Sequence, residues 1–254
     1  MLREWRQRRR LSQFDLALEA GVSARHVSFV ETGRARPSAE MVLHLAERLE
    51  VPLRDRNHLL LAAGYAPAFA QRELDAPEMG PVREAIEQVL RGHEPYPALV
   101  VDRHWGLVSA NRALGGLLGG VSGHLLEPPV NVLRLSLHPD GLAPRILNLP
   151  EWRAHLLERL ARDAVSSGDP ALATLCDELA AYPSHGPAAR VDPAFGDIAV
   201  PLRLRQGEDE LTFISTKTTF GTAVDVTVAE LSIESFFPAN EETGRALRAL
   251  AGAD

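Results

Sequence analysis

The sequence predicts an α+β chain, with a five-helix all-α domain over residues 1–64, a linker over 65–80, and an antiparallel sheet with packed helices over 81–254. Three observations carry this. Serines stand at capping positions before short apolar-periodic segments, at Ser12, Ser23 and Ser38, and glycines close such segments at Gly21, Gly33 and Gly64. Beyond Pro95-Tyr96-Pro97 the helical period gives way to short alternating runs. Finally, an early hairpin and three late strands bracket two helical stretches, an order that suggests one sheet with helices over one face.

Met1 to Arg10 reads as a first helix, with Leu2 and Trp5 inward and Arg3, Arg6, Arg8, Arg9 and Arg10 around the rest, either as a solvated face or as phosphate contacts. Ser12 then begins a second helix, with Asp15 placed to reach back to the cap's own amide. Phe14, Leu16, Ala17 and Ala20 are its expected apolar side. Ser23 caps a third helix, Ala24 to Thr32, in which Val27, Phe29 and Val30 are spaced to pack on the second. Two short helices joined through Ala-Gly-Val-Ser form a helix-turn-helix unit. Ser38 opens a fourth helix carrying Met41, Val42, Leu45, Ala46 and Leu49 at helical spacing, and Pro52 a fifth through Ala63.

Tyr65 to Pro81, rich in Ala and Pro, reads as a linker. Val82 to Arg91 is a helix with Val82, Ile86, Val89 and Leu90 on one side. Ala98–Val101 and Leu107–Ala110 are strands around the turn at 102–106, and Asn111 caps a short helix through Leu118. Gly119 to Pro144 is loop-rich. Helices follow at Trp152–Ala164 and after Asp169-Pro170. Val200–Arg205, Leu211–Thr219 and Val224–Ile233 alternate as strands, with Asp225 and Thr227 on a strand end or sheet face.

Composition bounds the function. Residues 1–56 carry 11 arginines against 8 acidic groups, while the other 198 carry 16 basic against 26 acidic, inside a net charge of −7. A mildly basic head on an acidic body suits a module that contacts DNA attached to one that does not. The single cysteine, Cys176, excludes an intramolecular disulfide and a cysteine-rich zinc cluster, in keeping with a reducing cytoplasm. No apolar run is long enough for a membrane span, and no apolar segment follows the charged N-terminus as a signal peptide requires. The expected location is cytoplasmic.

The strings SQFDLALEAGVS, HVSFVETGRARPS and LAERLEV resemble the lambda-repressor/Cro-type regulators of the xenobiotic-response-element family over residues 1–64. That resemblance implies a double-stranded DNA partner. It sets Ala24, Arg25 and Phe29 at base-facing positions and Ser23 and Gln13 at phosphate-contacting ones, with His26 and Ser28 within reach. Arg25 is the best specificity residue because a guanidinium can bond guanine O6 and N7 together; a phosphate contact is its alternative. Phe29 meets a thymine methyl or belongs to the core. Arg34 and Arg36 are expected on phosphates.

The second resemblance covers about residues 95–240. DRHWGLVSAN, PPVNVLRLSLHPDG and FGTAVDVTVAEL with FFP look like the PAS-like ligand-binding domain of MmyB-like transcription regulators. It implies a pocket for an apolar, fatty-acid-like molecule and no other cofactor. Leu107, Leu133, Leu135, Trp152, Phe213, Ile214 and Phe220 are expected to line it or to be plain core. Arg134 and His138 are expected to pair with a ligand carboxylate or to make structural hydrogen bonds.

Nothing marks an enzyme. The nine histidines form no metal-ligand motif, Gly115 to Gly120 is not a dinucleotide loop, and no G-x-S-x-G elbow exists. The reading is a homodimeric, ligand-modulated regulator on a pseudo-palindromic operator. Its alternative is a constitutive DNA-binding regulator whose second domain serves dimerisation or a protein partner.

Overall fold

The computed structural model describes residues 1–183 and 200–252. They form two compact units, one of residues 1–73 with 165–168 and 221–229, the other of 74–164, 169–183, 200–220 and 230–252.

The first unit opens with five helices, α1 (Leu2–Arg8), α2 (Gln13–Glu19), α3 (Ala24–Glu31), α4 (Ala39–Arg48) and α5 (Leu53–Ala62). The serine caps form as their spacing predicts. Ser12 accepts from Asp15 N and its own amide donates back to the Asp15 carboxylate, while Ser23 and Ser38 accept from His26 N and Met41 N. Gly21 and Gly33 take the positive φ that lets the chain turn between helices. Trp5, Leu16, Val27, Leu45, Leu49 and Leu60 fill the core. Two inward and outward assignments change. Phe14 is 67% exposed, together with Leu18 four residues on. Phe14 and Leu18, four apart, form an exposed stripe beside the buried one of Leu16, Ala17 and Ala20. Arg6, expected on the outer face, is buried.

The second unit carries α6 (Gly80–Gly92), β1 (Ala98–Val101), β2 (Leu107–Ala110), α7 (Arg112–Gly115), α8 (Val132–Leu137), α9 (Leu149–Ser167), α10 (Pro170–Ala181), β3 (Leu202–Gln206) and β4 (Asp209–Thr219). α11 (Val226–Ala229), β5 (Ser232–Pro238) and α12 (Glu241–Ala251) complete the chain. The five strands pair antiparallel in the order β2-β1-β5-β4-β3. Register fixes which side chains share a face: Leu99 lies opposite Glu234, Lys217 opposite Glu234, Ser215 opposite Phe236, and Leu202 opposite Phe213. Leu99, Leu202, Leu204, Leu211 and Phe213 meet Leu156 and Leu160 of α9 and Leu175 and Leu179 of α10 in the main core. The opposite face is not bare. Ala98, Val100 and Ile233 pack against Ile86 and Leu90 of α6, so helices cover both faces rather than one.

The late sequence differs from its alternating pattern. Val224–Ile233 is not one strand: Asp225 accepts from Thr227 N at 2.9 Å, starting the single turn of α11, and the strand begins only at Ser232. Asp225 also pairs with Arg72 at 2.9 Å, and the Thr227 hydroxyl donates to Arg72 O, all within the first unit. Two helices were not expected. α8 is set by Asn131, whose side chain accepts from Leu133 N and Arg134 N, and α12 by Asn240, which accepts from Thr243 N.

Candidate functional site

In the first unit the candidate surface is α3 and the loop after it. Arg25, Arg34 and Arg36 are exposed, Ser23 caps the helix, and Ala24, Ser28 and Phe29 are half-buried. The Arg25 guanidinium lies 5.0 Å from the Phe29 ring centroid, one helical turn away, so the ring steadies the arginine's stem. Arg36 stacks similarly on Tyr65 at 5.6 Å. Two predicted contact residues turn inward. His26 buries its Nε2. Gln13 donates to Glu31 Oε2 at 2.7 Å, on the same carboxylate that Arg6 holds through Nε at 2.6 Å and Nη2 at 3.0 Å. Burial alone would push the Glu31 carboxyl up, but the hydrogen bonds from Arg6 and Gln13 outweigh it and hold the carboxyl below its ordinary range. Arg6, Glu31 and Gln13 thus tie α1, α2 and α3 together beneath the exposed arginines.

In the second unit a small apolar chamber, about 80 Å³, lies between the sheet and α8–α9. Of the residues expected to line it or to be plain core, Leu133 and Leu135 of α8, Trp152 of α9 and Phe213 of β4 line it, and Leu133, Trp152 and Phe213 also belong to the main core. Trp152 donates its indole N–H to Ser136 Oγ at 3.1 Å, which leaves its ring free to face apolar neighbours. The other predicted residues lie elsewhere. Ile214 falls on the opposite sheet face from Phe213 because side chains alternate along a strand, and Phe220 packs against the α6 cluster. Leu107 is half-buried at the edge of the main core.

Neither predicted anion partner lines the chamber. Arg134 makes a bidentate pair with Glu178, at 2.8 and 2.7 Å, in a partly exposed position. That bond, with a second from the Tyr182 hydroxyl, draws the Glu178 carboxyl down to about 2 despite partial burial. His138 lies edge-on to Tyr182 and His124. Its ring comes within 4.8 Å of donor atoms of His124 and Asp140, on loops joined by the Ser122 N–H to Asp140 carbonyl bond.

The charged groups of the chamber are instead Arg159 and Glu234. Arg159 sits on α9 three residues past Leu156 and seven past Trp152, on the face those residues turn to the sheet. It donates to Glu234 through both terminal guanidinium nitrogens, Nη1 at 3.1 Å from Oε2 and Nη2 on Oε1. Burial is the main influence on Glu234 and pushes its carboxyl up, against the opposing pull of Arg159 and Lys217. Trp105 completes the arrangement. Asp102 accepts from His104 N and Gly106 N, both at 2.8 Å, and holds the loop so that Trp105 adopts φ +64, a left-handed conformation unusual for a bulky residue. A side chain on Gly106 would strike Asp102 Oδ2 at 2.7 Å. Above the Trp105 ring stand the Arg159 guanidinium at 4.7 Å and the Lys217 ammonium at 5.3 Å. Neither Arg159 nor Glu234 is among the site residues expected from sequence; the helical spacing of Arg159 from Trp152 and Leu156 is the available signal.

No described helix is long and apolar enough to cross a membrane. No curated protein sequence matches the chain. A solved structure of an RNA-binding light-oxygen-voltage receptor shares 16% identity across 94% of this chain, which spans 57% of that one, with a TM-score of 0.28. A likeness of that size carries no argument. Residues 2–55 match the helix-turn-helix family and residues 82–250 the MmyB-like transcription regulator ligand binding domain. With its described helical head and two-thirds of its length in that second match, the chain belongs to the MmyB-like transcription regulators.

Proposed function

We propose that this DNA-binding transcription regulator is governed by a small, mainly apolar ligand of fatty-acid-like character. The observation that carries the reading is the leucine- and tryptophan-walled chamber, lined on one side by a half-buried arginine. Such a wall, apolar with few convergent polar groups, is the usual form of a small-molecule site. Its volume sets how the ligand acts. A dry cavity of about 150 Å³ accepts benzene, and this one is about 80 Å³, so a longer chain enters only by parting α8 and α9 from the sheet. Binding and a change of shape are then one event, and ligand selects the opened state.

On the DNA side, a homodimer sets two copies of α3 in successive major grooves of a pseudo-palindromic operator, about 34 Å apart. Arg25 reads a base, whereas Arg34 and Arg36 hold phosphates. A coupling of about 1–3 kcal/mol between the two ligands changes operator affinity about 5–150-fold. The protein works in the cytoplasm and carries out no catalysis.

Native mass spectrometry of the purified protein, followed by organic extraction, checks both subunit number and bound ligand. The expected result is a dimer carrying an extractable apolar molecule whose removal changes operator affinity. Equal affinity with and without the molecule ends the allosteric reading and leaves DNA binding standing. The small chamber gives the alternative its one support: a constitutive regulator with a second domain for dimerisation, in which the chamber is a packing defect. A dimer with nothing to extract and no uptake of added ligand decides for that alternative.

A further inference from the structure

The chamber has a charged threshold. Arg159 and Ser215 line both the apolar chamber and an open cleft of about 460 Å³, whose other walls are His155, Arg162, Asp163 and Lys217. Three of these six residues are permanent cations and one is an acid. His155 adds no charge at neutral pH, because burial and the nearby arginines Arg159 and Arg162 lower its pKa against the pull of Glu158. Glu234 stands at the junction, directly across β4–β5 from Lys217 and in bidentate contact with Arg159. Only 5% of its side chain is exposed, against 15% for Arg159.

We propose that Arg159 and Lys217 form an anion subsite at the mouth of the chamber, filled in the ligand-free protein by the Glu234 carboxylate, and that the ligand is an amphiphile whose anionic head takes Glu234's place while its tail enters the chamber. This rests on the ligand reading above and adds the head-group chemistry to it. The arginine fork already holds a carboxylate in the geometry that a ligand carboxylate or phosphate would need. The Trp105 ring gathers the two cations, the Arg159 guanidinium at 4.7 Å and the Lys217 ammonium at 5.3 Å, and Lys217 also lies 3.8 Å from Asp163 Oδ2. The exchange is also balanced in charge. Because burial disfavours the ionised form of Glu234, a displaced Glu234 takes a proton from solvent, and one anion leaves the pair as another joins it. The cleft is large enough to keep the head outside while the tail goes in, which orients the ligand. Arg134 and His138, set apart from the chamber, take no part.

The test is calorimetric titration of the full-length, solvent-extracted protein with three ligands of one tail: decanoate, decyl phosphate and decanol. The anionic pair should bind at least tenfold more tightly than decanol, and their order shows whether a carboxylate or a phosphate head fits better. Lys217→Met should shrink the preference for anions severalfold without changing decanol binding. Glu234→Gln should tighten decanoate binding, since the internal competitor is gone, again without moving decanol. A purely structural ion pair gives no such gain. Should Glu234→Gln fail to fold, the head-group ratio and Lys217→Met decide the matter. Equal binding of all three ligands overturns the anion subsite and leaves the apolar chamber as a ligand site. Binding of none overturns the ligand reading and the subsite with it.

Discussion

In the helical unit Arg6 and Glu31 join with side chains 10% and 1% exposed; in the sheet unit Arg159 and Glu234 join at 15% and 5%. The chemistry is the same and the surroundings are not. Glu31 receives a further hydrogen bond from Gln13, and its carboxyl is held below the ordinary range. Glu234 shares its arginine with the wall of a chamber, and burial drives its carboxyl above that range. One pair is fully satisfied and locks α1, α2 and α3 together. The other is a charge kept in a place that disfavours it, beside space that is not filled. Buried ion pairs give little net stability by themselves, so their difference lies in what surrounds them: the first is suited to hold a shape, the second to exchange partners.

Removing one member of the first pair should produce the largest effect. Arg6→Leu leaves Glu31 buried without its main partner and should destabilise the helical unit by about 3–5 kcal/mol, read by denaturant unfolding. The double change Arg6→Leu with Glu31→Leu should recover most of that loss, because two apolar side chains leave no stranded charge. A single substitution that costs nothing would break the comparison by showing that the lock is no lock.

The exposed arginines above the lock come next. Arg25→Ala should cost about 1–3 kcal/mol on the cognate operator and relax preference at one base pair. Arg36→Ala should instead weaken cognate and scrambled DNA alike and lower the salt slope by about 1. Titrations of both DNAs over a range of salt separate the two outcomes, and an equal loss on both DNAs for Arg25→Ala assigns it to phosphate.

Smaller still is the effect of filling the chamber. Enlarging a residue in a well-filled core costs about 1–3 kcal/mol. Leu135→Phe should cost under about 1 kcal/mol, since its ring has space of about 80 Å³ to enter, and it should abolish ligand uptake. A full overpacking cost at this position would show that the sheet unit is as tightly filled as the helical one.

The two units were also unequally legible in sequence. The head is built from local contacts, and local signals announced it: Ser12, Ser23 and Ser38 cap helices where they were expected to. Phe14 went astray because it stands four residues before Leu18, on a stripe at the margin of the apolar side that the fold leaves exposed. In the sheet unit the signals conflict. Val132–Leu137 alternates like a strand and is as short as one, yet the Asn131 cap starts it as a helix. Val224–Ile233 alternates too, but Asp225 starts a helical turn within it. The chamber walls were half visible, because apolar residues at Leu133, Leu135, Trp152 and Phe213 can be read from pattern. Arg159 and Glu234 were not, because the pairing that permits their burial joins residues 75 apart in sequence.

The last contrast is in pH, where the two glutamates should act in opposite directions with the smallest effect of the four. Both have an ordinary value of 4.5. Glu31 is lowered on folding, so its stabilising contribution is present above 4.5 and is lost only as pH falls through its lower folded value. Glu234 is raised, so its contribution is complete below 4.5 and is lost as pH rises through its higher folded value. Between neutrality and pH 5, acidification should therefore stabilise the sheet unit through Glu234 and leave Glu31 unmoved. Glu178, held at about 2, stays ionised across that window and does not confuse it. Thermal unfolding of wild type and Glu234→Gln at stepped pH reads the effect as a gap that widens towards neutral pH in favour of the variant, because the amide stands in for the protonated carboxyl and cannot titrate. A gap constant over the window would mean that Glu234 ionises normally and that the second pair is as settled as the first.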